Sequence, residues 1–283
     1  MLPAVVKLCC GISYPHLRNL TGLQRTAVAV IGQELTHMQR WGQVQHLIRT
    51  HSRLKRHEPK PEDASPVPLK EDQLLYVQRG QDAMEKALCM LEDTQGWKFE
   101  MTESEGDVIC SKVIPGTGKV FRLEAVLDAS VDELYDILFV RVEEMHQWNP
   151  SIQQIKVLKH VGPETIVTHE ISAETAGNLI GQRDFLCVRH SCKQKSRVYL
   201  GGTAIELASL PPQPGFVRAE DGPTCIIIQA LDEDMGKSHF TWLLNMDVKG
   251  WLPKSIVNQA LPRAQLDFTR HLRRRLTATS TLG

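Results

Sequence analysis

Val120-Phe121-Arg122-Leu123-Glu124-Ala125-Val126-Leu127 sets Phe121, Leu123, Ala125 and Leu127 on one side of an extended chain, with Arg122 and Glu124 on the other. A period of two is the signature of a strand with one buried face. The residues before it repeat the pattern. Trp97-Lys98-Phe99-Glu100-Met101 alternates, Glu105-Gly106-Asp107 supplies a polar turn, and Val108–Ile114 reads as the partner strand. Connections this short suit antiparallel neighbours, so the stretch from 97 to 127 predicts a meander.

On the far side, Ser130-Val131-Asp132-Glu133 is a capping box that opens a helix through about Met145, stopped by Trp148-Asn149-Pro150. Further strands are expected near 152–159, 165–172, 183–191, 197–205, 216–220, 224–230 and 237–247, broken at Gly162-Pro163, Gly201-Gly202, Pro211–Gly215, Gly222-Pro223 and Asp232–Gly236. Gly250-Trp251-Leu252-Pro253 then opens a long final helix with Val257, Leu261, Phe268, Leu272 and Leu276 as its apolar stripe. Upstream, residues 71–94 read as a helix with Leu74, Val77, Met84, Leu88 and Leu91 on one face, weakened slightly by Gly80. The order predicts an α+β fold with a curved or partly closed antiparallel sheet.

Ahead of that first helix, Glu58–Pro68 holds four prolines and reads as an extended linker. Residues 1–60 carry nine Lys+Arg against two acids, a surplus of seven, although the whole chain balances at 33 and 33. Leu23, Ala27, Val30, Ile31, Leu35 and Met38 recur there at helical spacing. A basic, acid-poor, amphipathic leader predicts a mitochondrial transit peptide over 1–62 with its linker, and a folded domain over 67–283; a basic arm for nucleic acid or anionic lipid is the other reading. Zero overall charge argues against nucleic acid as a partner. No run approaches the roughly 18 to 20 apolar residues of a spanning helix. Seven scattered cysteines point to thiols in a reducing compartment.

Catalytic and metal motifs fail in turn. His169-Glu170 begins a zinc signature whose second histidine is absent, and Gly116-Thr117-Gly118-Lys119 lacks the Ser or Thr of a phosphate loop. In a strand, Cys187 points away from His190 and Cys192, which cannot then share a metal with it. We expect no metal, no cofactor and no enzyme. The unusual feature is charge within core-like strands: Glu170 shares a face with Ile166 and Thr168, and Arg189 with Phe185, Cys187 and Arg183. Periodicity leaves two readings open, a buried pair in an apolar interior or two solvated surface charges.

Trp148-Asn149-Pro150, Ala176–Phe185, Gly222-Pro223-Thr224-Cys225 and Lys249-Gly250-Trp251-Leu252-Pro253-Lys254 resemble the START lipid-transfer domains, and the likeness extends over the whole chain. The resemblance implies a helix-grip fold, a curved antiparallel sheet around a lipid tunnel closed by the C-terminal helix. It implies that Glu170 and Arg189 are the buried acid and base of a cholesterol-binding cavity, and that a monomeric, non-enzymatic carrier delivers cholesterol toward the inner mitochondrial membrane for steroid hormone synthesis. Its partners would then be cholesterol, the outer mitochondrial membrane surface and the import machinery. An enzyme acting on a lipid, with Glu170 as general base, is the competing class. The stripe Leu261, Phe268, Leu272 and Leu276 would form a lid, with Arg263, Arg270, Arg273, Arg274 and Arg275 offering a basic face to headgroups. Ser196, after Lys193-Gln194-Lys195, would be a phosphorylation site with a weakened basic signal, and Pro262 should interrupt and kink the last helix.

Overall fold

The computed structural model describes residues 71–174, 181–231 and 234–280, so the leader, the linker and most of the 173–182 loop lie outside the described residues. Helix α1 spans Glu71–Glu92, and the meander follows as β1 (Lys98–Thr102), β2 (Val108–Ile114) and β3 (Gly118–Leu127). Next come α2 (Val131–Tyr135), β4 (Ile152–His160), β5 (Thr165–Ser172), β6 (Gln182–Gln194) and β7 (Arg197–Ala204). The remainder is β8 (Phe216–Arg218), β9 (Glu220–Asp221), β10 (Thr224–Leu231), β11 (Asp234–Leu244), β12 (Met246–Asp247) and α3 (Lys254–Ser280).

One large sheet runs in the order β1-β2-β3-β11-β10-β7-β6-β5-β4. All these neighbours pair antiparallel, and β8 adds to β6 in parallel. The α+β architecture with an antiparallel sheet expected from the alternating strands, and the helix grip implied by the resemblance, are the ones observed. Its inner face carries the main core: Phe121, Leu123, Ala125 and Leu127 from β3, Phe240 and Trp242 from β11, Ile226 and Ile228 from β10, and Phe185 from β6. Helix α3 closes over β3 and β11, with Phe268 5.0 Å from the Trp242 ring and 5.5 Å from the Trp148 ring. Buried Gln265 donates to the Trp242 carbonyl at 3.1 Å.

The outer face of the sheet is covered by α1, which crosses β5, β6, β7 and β10. This crossing explains Gly80, which costs helix propensity yet is buried. A Cβ there would lie 2.7 Å from His190 Cβ, so the missing side chain sets the distance between helix and sheet. Gly201 on β7 answers it, since its Cβ would lie 2.6 Å from Met84 Cβ and 2.9 Å from Met84 Cα.

Three boundaries differ from expectation. The helix expected through Met145 is α-helical only to Tyr135, then widens into a π turn over Asp136–Val140 and tightens into a 3-10 turn over Val142–Gln147. Arg141 N donates to the Asp136 carbonyl five residues back at 2.8 Å, and the wider turn lets consecutive Ile137, Leu138 and Phe139 all reach the core. The segment expected as one strand at 216–220 divides at Ala219, whose N–H bonds to the Asp184 carbonyl at 3.0 Å. Pro262 does not end α3, which is continuous from Lys254 to Ser280. Proline removes only the N–H directed at the Asn258 carbonyl, and the tightly packed helix on either side tolerates that loss.

Because backbone as well as side chain blocks the space at Gly201, Gly201→Ala should destabilise the domain by about 1–3 kcal/mol. Urea unfolding would show a lower midpoint at unchanged slope; an unchanged midpoint would mean that α1 is free to ride outward.

Candidate functional site

Strand register places the charged pair. In the β5–β6 ladder Ile166 faces Arg189, Thr168 faces Cys187 and Glu170 faces Phe185, so Glu170 and Arg189 share the inner face two cross-strand pairs apart, a gap their long side chains span beside Thr168 and Cys187. Glu170 is 1% exposed and Arg189 8%. The Arg189 Nη2 donates to Glu170 Oε1 in a buried ion pair, and Arg189 Nε donates to Thr168 Oγ1 at 3.3 Å. Thr168 Oγ1 in turn contacts Glu170 Oε1 at 3.4 Å. Of the two readings left open by periodicity, the interior one holds. Burial raises the proton affinity of Glu170, and the Arg189 guanidinium outweighs it, holding the carboxyl below its usual range.

Cys187 and Arg183, which share the Arg189 face by parity, point inward as expected, and Asp221, not recognised from sequence, joins them. Cys187 Sγ lies 3.7 Å from Asp221 Oδ2, and the whole Asp221 residue is 3% exposed. Glu220-Asp221-Gly222-Pro223 reads as turn chemistry, so nothing in the sequence signals that Asp221 turns inward. Arg183, 2% exposed, caps the Lys249–Gly250 turn by donating Nε to the Val248 carbonyl at 3.3 Å and Nη2 to the Lys249 carbonyl at 3.4 Å. That turn needs the support, because Lys249 holds a φ of 50°. Cys187 and His190 do face opposite ways, His190 meeting Thr165 Oγ1 at 2.8 Å beneath α1.

The α3 stripe lies where expected, with Leu261, Phe268, Leu272 and Leu276 all at or below 4% exposure. The basic face does not, because two of its arginines serve the fold. Arg273 forms a fork with buried Asp107, its Nη1 2.8 Å from Oδ2, and reaches Glu105 at 2.8 Å; Thr269 Oγ1 donates to the same Asp107 at 2.6 Å. Arg270 pairs with Glu103 at 2.9 Å and with Asp267 at 2.5 Å. Glu103, Glu105 and Asp107 sit at the β1–β2 turn, more than 160 residues away, which hides these partners from any local reading. Arg263 and Arg274 remain exposed. Ser196 is exposed in the two-residue turn between β6 and β7.

Removing one member of the pair strands the other charge in the core. Glu170→Ala or Arg189→Ala should therefore cost about 3–5 kcal/mol, whereas Glu170→Leu with Arg189→Met should recover much of that loss. The lowered carboxyl stabilises the fold above its unfolded value near 4.5, and that stability disappears as pH falls into the acid range. Glu170→Gln should flatten the acid limb of a stability–pH curve. A limb unchanged by Glu170→Gln would mean that the pair is not a source of acid sensitivity.

A family model described as START domain matches residues 78–280. The chain is 44% identical to the steroidogenic acute regulatory protein, mitochondrial, of Danio rerio over 98% of its own length and 96% of that protein. It is 45% identical to the Bos taurus protein of the same name over 100% and 99%, and 44% identical to the Homo sapiens one over 98% and 96%. Among solved structures, human StAR-related lipid transfer protein 5 superposes with a TM-score of 0.66 at 22% identity, covering 74% of this chain and 99% of that one. Human STARD10 gives 0.59 at 17%, covering 78% and 87%. The ten-stranded sheet, the closing helix and these matches lead to one conclusion: the chain belongs to the START domain family.

Proposed function

We propose that the protein is a lipid-transfer protein of mitochondria that binds cholesterol between the inner face of the sheet and α3 and promotes its delivery to the inner membrane for steroid hormone synthesis. The observation that carries this reading is the Glu170–Arg189 pair, a polar contact enclosed by an otherwise apolar core. A sterol is almost wholly apolar with one hydroxyl, and an apolar site with polar groups at one end is its complement. The relatives at 44–45% identity, named steroidogenic acute regulatory protein, support the same assignment. The carrier is not an enzyme: a carboxylate held low by Arg189 is a poor general base at neutral pH.

Within this reading, residues 1–62 are a transit peptide with its linker and act through the import machinery, while residues 67–283 carry the lipid at the outer mitochondrial membrane as a monomer. The stripe Leu261, Phe268, Leu272 and Leu276 makes α3 the lid. Its second half is clamped by Asp107 and Glu103, so opening belongs to the first half, on the Lys254 side of Pro262, where one backbone hydrogen bond is already missing. Ser196 is the proposed phosphoacceptor, on an exposed turn beside Lys195 and Arg197; peptide mapping after treatment with a cyclic-AMP-dependent kinase checks it.

Incubating residues 67–283 with radiolabelled cholesterol should yield one unchanged lipid per protein and transfer to isolated mitochondria without the leader. Recovery of a converted product, or transfer that requires residues 1–62, would overturn the assignment. Changing Arg25, Arg40, Arg49 and Arg53 to Glu in the full chain should block import and leave binding intact.

A further inference from the structure

Asp221 lies inside the domain, and among the described residues its side chain makes no ion pair. It is carried by β9, a two-residue strand that pairs only with β12. Its side chain faces Cys187 across from β6, and its Oδ1 is buried with no hydrogen-bond partner. Thr203 Oγ1 of β7 donates to the Asp221 main-chain carbonyl at 3.2 Å, which fixes the backbone and leaves the carboxyl to the interior. Cys187 is opposite Thr168, whose hydroxyl bridges Arg189 and Glu170. Asp221, Cys187, Thr168, Glu170 and Arg189 therefore form one polar cluster within the apolar inner core.

The chemistry of a lipid alcohol shows what the cluster lacks without Asp221. A hydroxyl both donates and accepts, a carboxylate only accepts, and a guanidinium only donates. Glu170 can take the proton of a bound hydroxyl, and Arg189, which uses its Nε on Thr168 and one Nη2 proton on Glu170, keeps other N–H groups that can meet one of the two lone pairs on the hydroxyl oxygen. The hydroxyl oxygen then needs a second donor, since an unmet lone pair in the core costs about 1–3 kcal/mol. We propose that Asp221 is that donor: its protonated carboxyl hydrogen-bonds to the oxygen of a ligand hydroxyl whose own proton is accepted by Glu170, so the site selects lipids with one free hydroxyl over their ethers and esters. The inference rests on the lipid-carrier reading above and names the ligand class of the same site.

The electrostatics agree with this geometry. Burial raises the Asp221 carboxyl to about 7, with Glu170 adding to the rise and Arg189 opposing it. Among the described residues, the charged or titratable groups facing it are Glu170 on β5 and Cys187 and Arg189 on β6; β7 contributes Thr203, and β12 contributes Met246. Below about pH 7 the acid is neutral and donates. Above that it ionises, loses its donor, and sets two carboxylates against one guanidinium. Affinity for a sterol alcohol is therefore present on the acid side and lost as pH rises through the folded value.

The test uses the full chain and a fluorescent sterol with a free hydroxyl, beside its methyl ether. The dissociation constant of the alcohol should rise about tenfold per pH unit once pH exceeds the folded pKa, the limit for one linked proton. Asp221→Asn, which keeps an N–H donor and cannot ionise, should bind the alcohol with a flat pH profile, and Asp221→Leu should lose the preference over the ether. In unaltered protein carrying carbon-13-labelled aspartate, one buried carboxyl should titrate near neutrality and shift upward on adding the alcohol but not the ether. Alcohol binding that is independent of pH in the unaltered chain, an Asn variant with the original slope, or no aspartate titrating near neutrality would each overturn the role of Asp221 while leaving the carrier reading standing. A chain that binds neither sterol at any pH would overturn the carrier reading and this inference with it.

Discussion

A carboxylate taken out of water needs a cation at close range, and the meeting of Glu170 with Arg189 is the constraint around which this domain is arranged. The two side chains converge only if β5 and β6 pair in one register, because a slip of one residue would place them on opposite faces of the sheet. Thr168 and Cys187 are carried inward by the same register, and Asp221 is brought to them by the short β9 strand. A core built for stability alone would fill this volume with aliphatic side chains at no loss.

The two faces of the sheet are held by different physics. Inside, large rings meet: Phe268 sits against Trp148 and Trp242, and β3 and β11 supply consecutive aromatic and branched residues. Outside, α1 comes close enough for backbone to touch side chain, at Gly80 over His190 and at Gly201 under Met84. A second polar group lies on that outer face, where buried Asp184 accepts from His169 at 2.9 Å and from Arg218 at 2.8 Å, and so fastens β8 to β6. The outer cluster is complete in itself, which separates it from the inner one.

How much was legible in the chain follows the range of each interaction. The strand at 120–127 and its neighbours declare themselves because alternation is local, and Ser130 does cap α2, its Oγ accepting from the Glu133 N–H at 3.2 Å. The inward aim of Glu170 and Arg189 followed from parity once the resemblance resolved which face was buried. Asp107, Arg270 and Arg273 were misread as turn and surface residues because their partners lie at the other end of the chain. Asp221 was missed for a related reason: Asp before Gly-Pro is ordinary turn composition, and only the β9–β12 pairing swings it inward. Gly80 looked like a flaw in a helix until the sheet beneath it was in view.

The clamp between the β1–β2 turn and α3 also bears on the order in which the domain can be completed. Glu103 and Arg270 are 167 residues apart, and every strand of the sheet except β1 lies between them in the chain. A ribosome emits all of the strands before it emits α3, so the inner face has no cover for the time needed to make 27 further residues. At about 5–20 residues per second this is an interval of roughly one to five seconds. Throughout it, the aromatic floor formed by Phe121, Phe240 and Trp242 faces whatever is nearby. A newborn chain in that state is an open sheet with an exposed greasy surface, a natural client for chaperones and a substrate still loose enough to be threaded through a pore.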